Sequence, residues 1–202
     1  MRSPVCKVKD DSQKIFLTFD DGPCPQGTPQ VLDLLDEFKA KATFFVIGDK
    51  VEKNPNLLKE IIRRGHSVGD HSSDHAYTHY FKKEEHLKTW IKDSWSRLSD
   101  KLGEEPIGFR SPAGIVTPPL KNVMEELDIA WVHWNRRFFD SQISLSWMLN
   151  FYSYQSGDIL LLHDHQNPRR QLNFIENLRN LLQIIQPLEM AAITGDTKFH
   201  GS

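Results

Sequence analysis

The chain has 202 residues, a formal net charge of -2 and 26% charged residues. That length suits one domain with a sizeable core, and the balanced charge excludes the basic face of a nucleic-acid-binding protein. No stretch approaches the roughly 18 apolar residues of a membrane helix. Residues 1–11 are polar and lack the apolar core of a signal peptide, so the expected location is cytoplasmic, or the cell envelope or medium if a leader has been removed. Cys6 and Cys24 are too few for a disulfide framework or a four-thiolate metal site. The expected role of Cys24 is a small buried side chain.

Ile15–Phe19 reads as a buried strand that ends in Asp20-Asp21-Gly22-Pro23. Thr28-Pro29 reads as an N-cap followed by proline at the first helical position. Val31, Leu32, Leu34, Leu35 and Phe38 then make one apolar helix face. Residues 42–47 form a second buried strand ending at Gly48. Asn54-Pro55 opens a helix that stops at Gly65. His66–Gly69 is a short strand leading into a histidine-rich loop. Lys82–Leu102 has the stripe of a long amphipathic helix. Ile107–Arg110 is another strand, and Thr117-Pro118 caps the next helix. Strands follow at 129–134 and 159–162, with a helix at 144–154 between them. Asn167-Pro168 opens a last helix, Pro187 ends it, and 188–193 is the final strand. Strands and helices alternate throughout, which predicts a parallel α/β sheet of about seven strands in a single domain. A (β/α) barrel is favoured because Asp20, Asp21, the His71 loop, Arg110, Asp140 and His163 all fall at C-terminal strand ends, which converge on one mouth.

Four stretches carry chemistry. Adjacent carboxylates point to opposite faces of a regular strand, so Asp20 and Asp21 share a pocket only where extended geometry breaks, as at the Gly-Pro turn. One would then bind a metal and the other move a proton; the plainer reading is a polar strand end. His71 and His75, four apart, lie on one side of a helical turn and reach one metal ion. With Asp21 they supply two nitrogens and one oxygen, the ligand count of an open catalytic site. His79 is a third, less favoured candidate. His66 reads as structural, and Asp70 and Asp74 as supports of the loop. Arg110, at a strand end, holds a carboxylate in one rotamer. His163, ending an apolar strand, is placed to act as a general acid.

These stretches together resemble the polysaccharide deacetylases, the NodB-homology domain of carbohydrate esterase family 4. The resemblance rests on Thr-Phe-Asp-Asp-Gly-Pro at 18–23, His-x-x-x-His at 71–75, Arg-x-Pro-x-Gly at 110–114 and Leu-x-His at 161–163, in that order. It covers about residues 14–195, leaving 1–13 as an extension and 196–202 as a tail. It implies a distorted (β/α) barrel and metal-dependent removal of acetyl groups from a glycan. By motif, Asp20 is the general base, oriented by Arg110. Asp21, His71 and His75 hold one divalent ion, zinc first, with cobalt, nickel or manganese also suited. His163 protonates the leaving amine. The Ala113 N–H, beside Pro112, helps hold the oxyanion, and Leu161 lines the acetyl pocket. The family's fourth motif, Asp-x-x-Asp-Trp, is matched only by Arg137-Phe138-Phe139-Asp140-Ser141. Asp140 is kept and would pair with His163, raising its pKa. Arg137 and Ser141 depart from the pattern, and Trp131, Trp134 or Phe139 stands in for the missing aromatic.

The expected function is therefore N-deacetylation of N-acetylglucosamine units, in chitin oligomers or peptidoglycan. Two alternatives are an O-acetyl esterase or small-amide hydrolase on the same barrel, and a glycan-binding relative without turnover. The intact set of six polar residues weighs against the last, since binding alone does not need it.

Overall fold

The computed structural model describes residues 3–9, 13–140, 149 and 153–199. Lys14–Gly22 forms β1, a nine-residue strand buried on both faces over most of its length. Its apolar run is what a strand needs when layers cover it on both sides. Thr28–Glu37 is α1, Thr43–Val46 β2, Gly48–Lys53 α2, Pro55–Arg63 α3 and Ser67–Asp70 β3. A 3₁₀ turn over Tyr77–Phe81 precedes α4, Glu84–Leu102. A second short 3₁₀ turn, Pro112–Gly114, precedes α5, Pro118–Leu127. Arg136–Arg137 is β4, Ile159–His163 β5, Gln171–Ile185 α6 and Glu189–Ala191 β6.

All strand pairs are parallel, in the order β3-β2-β1-β5-β4, with β6 beside the first residues of β1. Phe109 bridges Asp70 on one side and Trp131 on the other. The stretch that starts at Trp131 then pairs Arg136 with Leu160 and Arg137 with Leu161. Residues 131–137 thus touch both edges and close the row of strands into a distorted barrel. The expected strands at 107–110 and 129–134 shrink to isolated bridges, Phe109 to Asp70 and Trp131, and Val132 to Val5, because these segments pair only where they touch each neighbour.

Period-two alternation sorts the core. Leu17, Phe19, Phe44, Leu160 and Leu162 pack outward against apolar faces of α1, α3 and α6. Phe16, Phe45, Val132 and Ile159 form a separate buried cluster with Val8 and Ile193. Leu87, Trp90 and Ile91 of α4 meet Leu120, Val123 and Met124 of α5 over Phe109 and Trp131. Each fully buried large side chain here contributes about 1.5–3 kcal/mol.

Several boundaries differ from the sequence reading. Thr117 caps α5 through its side chain, which accepts from Leu120 N. Thr28 does not cap α1 but is its first residue; its hydroxyl accepts from Cys24 N and donates to Asp164 instead. Helix α2 was not foreseen, its six residues being too short for a clear apolar period. Helix α6 begins at Gln171, three residues beyond Pro168. The expected helix at 144–154 falls largely outside the described residues. Cys6 and Cys24 are both free thiols.

Candidate metal and catalytic site

Strand β1 delivers both carboxylates to the C-terminal mouth. Its register against β2 slips between Asp20 and Gly22, and Asp21 takes a left-handed φ of 71°. This bulge, one residue ahead of the Gly-Pro turn, is the break in alternation that lets neighbouring side chains face one site. Aspartate tolerates this conformation better than most residues. The Lys50 ammonium donates to the Asp21 carbonyl at 2.5 Å and holds the turned peptide. Nothing in the sequence pointed to Lys50.

His71 and His75 are not on a helical turn. No helix lies between Asp70 and Tyr77, and Ser72 and His75 have φ values of 69° and 59°. Two left-handed residues fold the loop back on itself, so the rings meet with centroids 5.1 Å apart. The loop is pinned by Asp70, whose carboxylate accepts from Ser72 N at 2.9 Å and from Ser94 Oγ at 2.8 Å. Asp74 accepts from Ala76 N. His71 Nδ1 lies 2.8 Å from the Arg110 carbonyl and donates to it, leaving the Nε2 lone pair free.

Nε2 of His71 and Nε2 of His75 lie 3.5 and 3.2 Å from Asp21 Oδ1. Ligand atoms of Asp21, His71 and His75 all fall within 4.8 Å of one another. Asp21 Oδ1 is buried and accepts no hydrogen bond among the described residues. A buried anionic oxygen faced by two imidazole nitrogens is what a divalent cation satisfies. Burial pushes the Asp21 carboxyl up, but His71, His163 and His75 outweigh it and hold it well below the usual carboxylate range. His79 is taken up elsewhere, by Asp74 and His86. Cys24 is likewise bonded away, to His165 and Gln26.

Arg110 is fully buried and fixed at every nitrogen. Nη1 donates to Asp20 Oδ1 and Thr18 Oγ1, both at 2.7 Å. Nε and Nη2 donate to the carbonyls of Val132 and His133. The guanidinium carbon lies 3.9 Å from the centre of the Phe45 ring. Asp20 is thereby held with Oδ1 occupied, its Oδ2 lying 3.7 Å from His71 Nε2.

On the neighbouring strand His163 pairs in register with Asp20. Asp140 accepts from the His163 N–H at 2.8 Å and bonds Nδ1 at 2.8 Å. Gln166 donates to the same carboxylate at 3.0 Å. Burial disfavours the imidazolium, but the Asp140 hydrogen bond and charge, joined by Asp20 and Asp21, raise its pKa to about 9. Pro112 is buried in its turn, and Ala113 is left-handed at φ 55°. Leu161, 2% exposed, pairs with Thr18 and Arg137.

Of the aromatic candidates, Trp131 is buried in the core. Trp134 lies against Gly114, where a Cβ would come within 2.6 Å of its ring. Phe139 is 37% exposed beside Asp140. His133 was missed: it bonds Ser111 Oγ, and burial with the nearby Arg110 charge lowers its pKa to about 3. His66 accepts from Ala42 N and is structural.

The class of protein is now defined: a distorted parallel (β/α) barrel with an Asp-His-His cluster, an Arg-held carboxylate and an Asp-His pair at one mouth. Residues 7–132 match the family model described as polysaccharide deacetylase, and the chain belongs to that family. It is 36% identical over 170 residues to a peptidoglycan-N-acetylglucosamine deacetylase of Bacillus cereus, covering 82% of this chain and 79% of the relative. It is 31% identical over 160 residues to a chitooligosaccharide deacetylase of a Bradyrhizobium strain, covering 78% and 73%. Its fold superposes on the crystal structure of a peptidoglycan N-acetylglucosamine deacetylase with a TM-score of 0.81 at 26% identity, covering 90% of this chain and 86% of that one.

Proposed function

We propose that the protein is a metal-dependent deacetylase that removes the N-acetyl group from N-acetylglucosamine units of a glycan and releases acetate. The observation that carries this reading is the convergence of Asp20–Arg110, Asp21–His71–His75 and Asp140–His163 on one mouth. Names of the relatives, one acting on peptidoglycan and one on chitooligosaccharides, support the substrate class.

Asp21 Oδ1 and the Nε2 atoms of His71 and His75 would hold one divalent ion, zinc first by ligand type, with cobalt, nickel or manganese also accommodated. When bound, such an ion polarises the acetyl carbonyl and lowers the pKa of water. The chain's own groups do the rest. Asp20, with Oδ1 tied to Arg110, takes the proton of the attacking water on Oδ2. The Ala113 N–H donates to the oxygen on which charge develops, a contribution of about 3–4 kcal/mol for one such donor. Leu161 offers an apolar wall to the acetyl methyl. His163 bonds Asp140 through Nδ1, so Nε2–H delivers the proton that lets the amine leave. An envelope or extracellular glycan as substrate would place the protein at the cell surface.

The test is acetate release from N-acetylglucosamine oligomers, peptidoglycan and acetylated xylan, with metals returned singly to chelator-treated protein. Release from the first two is expected. Release from xylan alone would replace the reading with an O-acetyl esterase, and glycan binding without any release would replace it with a binding module. Replacing both His71 and His75 by Ala should abolish metal retention on dialysis; metal that persists would refute the ligand set.

A further inference from the structure

Residues 46–50, which the proposed chemistry does not use, bond to both segments that carry the proposed metal ligands. They run from the last residue of β2 into the first turn of α2. The Val46 carbonyl accepts from His71 N at 2.9 Å, and Ile47 N donates to the Gly22 carbonyl at 2.9 Å. Gly48 N and Asp49 N donate to the Ser72 and Ser73 carbonyls at 3.0 and 2.8 Å. The Lys50 ammonium completes the row on the Asp21 carbonyl at 2.5 Å. One side of this bracket grips the turn that carries Asp21, and the other grips the loop that carries His71 and His75. Both gripped segments hold left-handed residues: Asp21 at φ 71°, Ser72 at 69° and His75 at 59°. Such backbone persists only where its surroundings over-determine it. The approach is close as well, since a Cβ at Gly48 would come within 3.2 Å of Ser73 Cα and 3.4 Å of its carbonyl oxygen.

Lys50 works against its own charge. An ammonium beside a cation site repels the ion. Burial lowers the His75 pKa, and Lys50 is among the charges that lower it further. Its hydrogen bond to Asp21 favours the ion by fixing a ligand; its charge opposes the ion. The sign of the effect on affinity therefore tells which influence wins. We infer that residues 46–50 are the bracket that sets Asp21, His71 and His75 for the ion, and that Lys50 is its positioning residue at Asp21, the hydrogen bond outweighing the repulsion. The inference rests on the proposed ligand set and goes beyond it: a donor to a main-chain carbonyl governs metal affinity without being a ligand.

The test is zinc affinity, read by competition with a chromophoric chelator on protein stripped of metal. Lys50→Met removes both donor and charge and should weaken zinc about tenfold or more, the scale on which groups behind the ligands act. Lys50→Arg keeps a donor on that turn and should recover most of the loss. Lys53→Met makes the same change of charge at an exposed position of the same helix and should leave affinity unchanged. Gly48→Ala changes no charge but presses on Ser73, and should weaken zinc in the same direction. The melting temperature of metal-free Lys50→Met should stay near that of the unaltered protein. Unchanged zinc affinity in Lys50→Met or in Gly48→Ala overturns the inference. Tighter binding in Lys50→Met overturns it too, since the ammonium would then act only as a repelling charge. If the unaltered protein takes up no zinc, the ligand set and this inference fall together. Zinc uptake without acetate release refutes the deacetylase reading alone.

Discussion

The left-handed backbone at Asp21 gives two neighbouring carboxylates different surroundings. Asp20 faces a guanidinium at 2.7 Å, and Asp21 faces two imidazoles. Their roles should separate accordingly. Asp20→Asn keeps the shape and the ligands, so turnover should fall about 10²–10⁴-fold with metal content unchanged by elemental analysis. Loss of metal in that variant would mean that Asp20 is itself a ligand. The Asp140–His163 pair sets a second expectation. With the imidazole pKa raised to about 9, a general acid stays protonated through neutral pH, and activity declines only as pH rises through that value. Asp140→Asn removes the largest raising influence, so the alkaline limb of kcat/KM should move toward the ordinary histidine range. A limb that stays put would assign it to another group.

At the scale of elements, the site depends on how closely β3 approaches β2. A Cβ at Gly69 would come within 2.4 Å of the Phe45 ring and 3.1 Å of the Gly108 carbonyl. Phe45 in turn lies under the Arg110 guanidinium. Gly69→Ala should therefore push the ring into Arg110 and cost about 1–3 kcal/mol in denaturant unfolding, with a larger loss of kcat than a remote core change of equal cost. Stability and activity like those of the unaltered protein would show that β2 and β3 can slide apart. The loop after β3 teaches the same lesson. His71 and His75 were expected to share a metal because of their spacing. They do come together, but on a loop turned by Ser72 and His75, where spacing of four has no special meaning. Residue type was legible there; the local geometry was not, because left-handed turns at non-glycine residues are fixed by tertiary hydrogen bonds such as those of Asp70.

Over the whole molecule, charge pairing ties folding to pH. His163 has a raised pKa in the folded state and the ordinary value of about 6.5 when unfolded. Its contribution to stability is fully present below pH 6.5 and is lost as pH rises toward 9. The melting temperature of metal-free protein should thus fall between those values, and fall less in His163→Gln. Equal slopes in both proteins would show that the Asp140 pair does not stabilise the fold. Among the described residues no helix is long and apolar enough to cross a membrane.

By itself the sequence determined the alternating parallel architecture, the apolar faces and the identity of the residues at strand ends. Those follow from period, caps and turn residues, which act over a few positions. Closure of the barrel by residues 131–137, the Arg110 bonds to four separate partners, and the meeting of β1, the 71–75 loop and β5 were decided by tertiary structure. The reason is physical: these contacts join residues far apart in the chain, Thr18 and Leu160 of β1 and β5 being 142 positions apart, and no local preference encodes which carbonyl or carboxylate a buried guanidinium will reach.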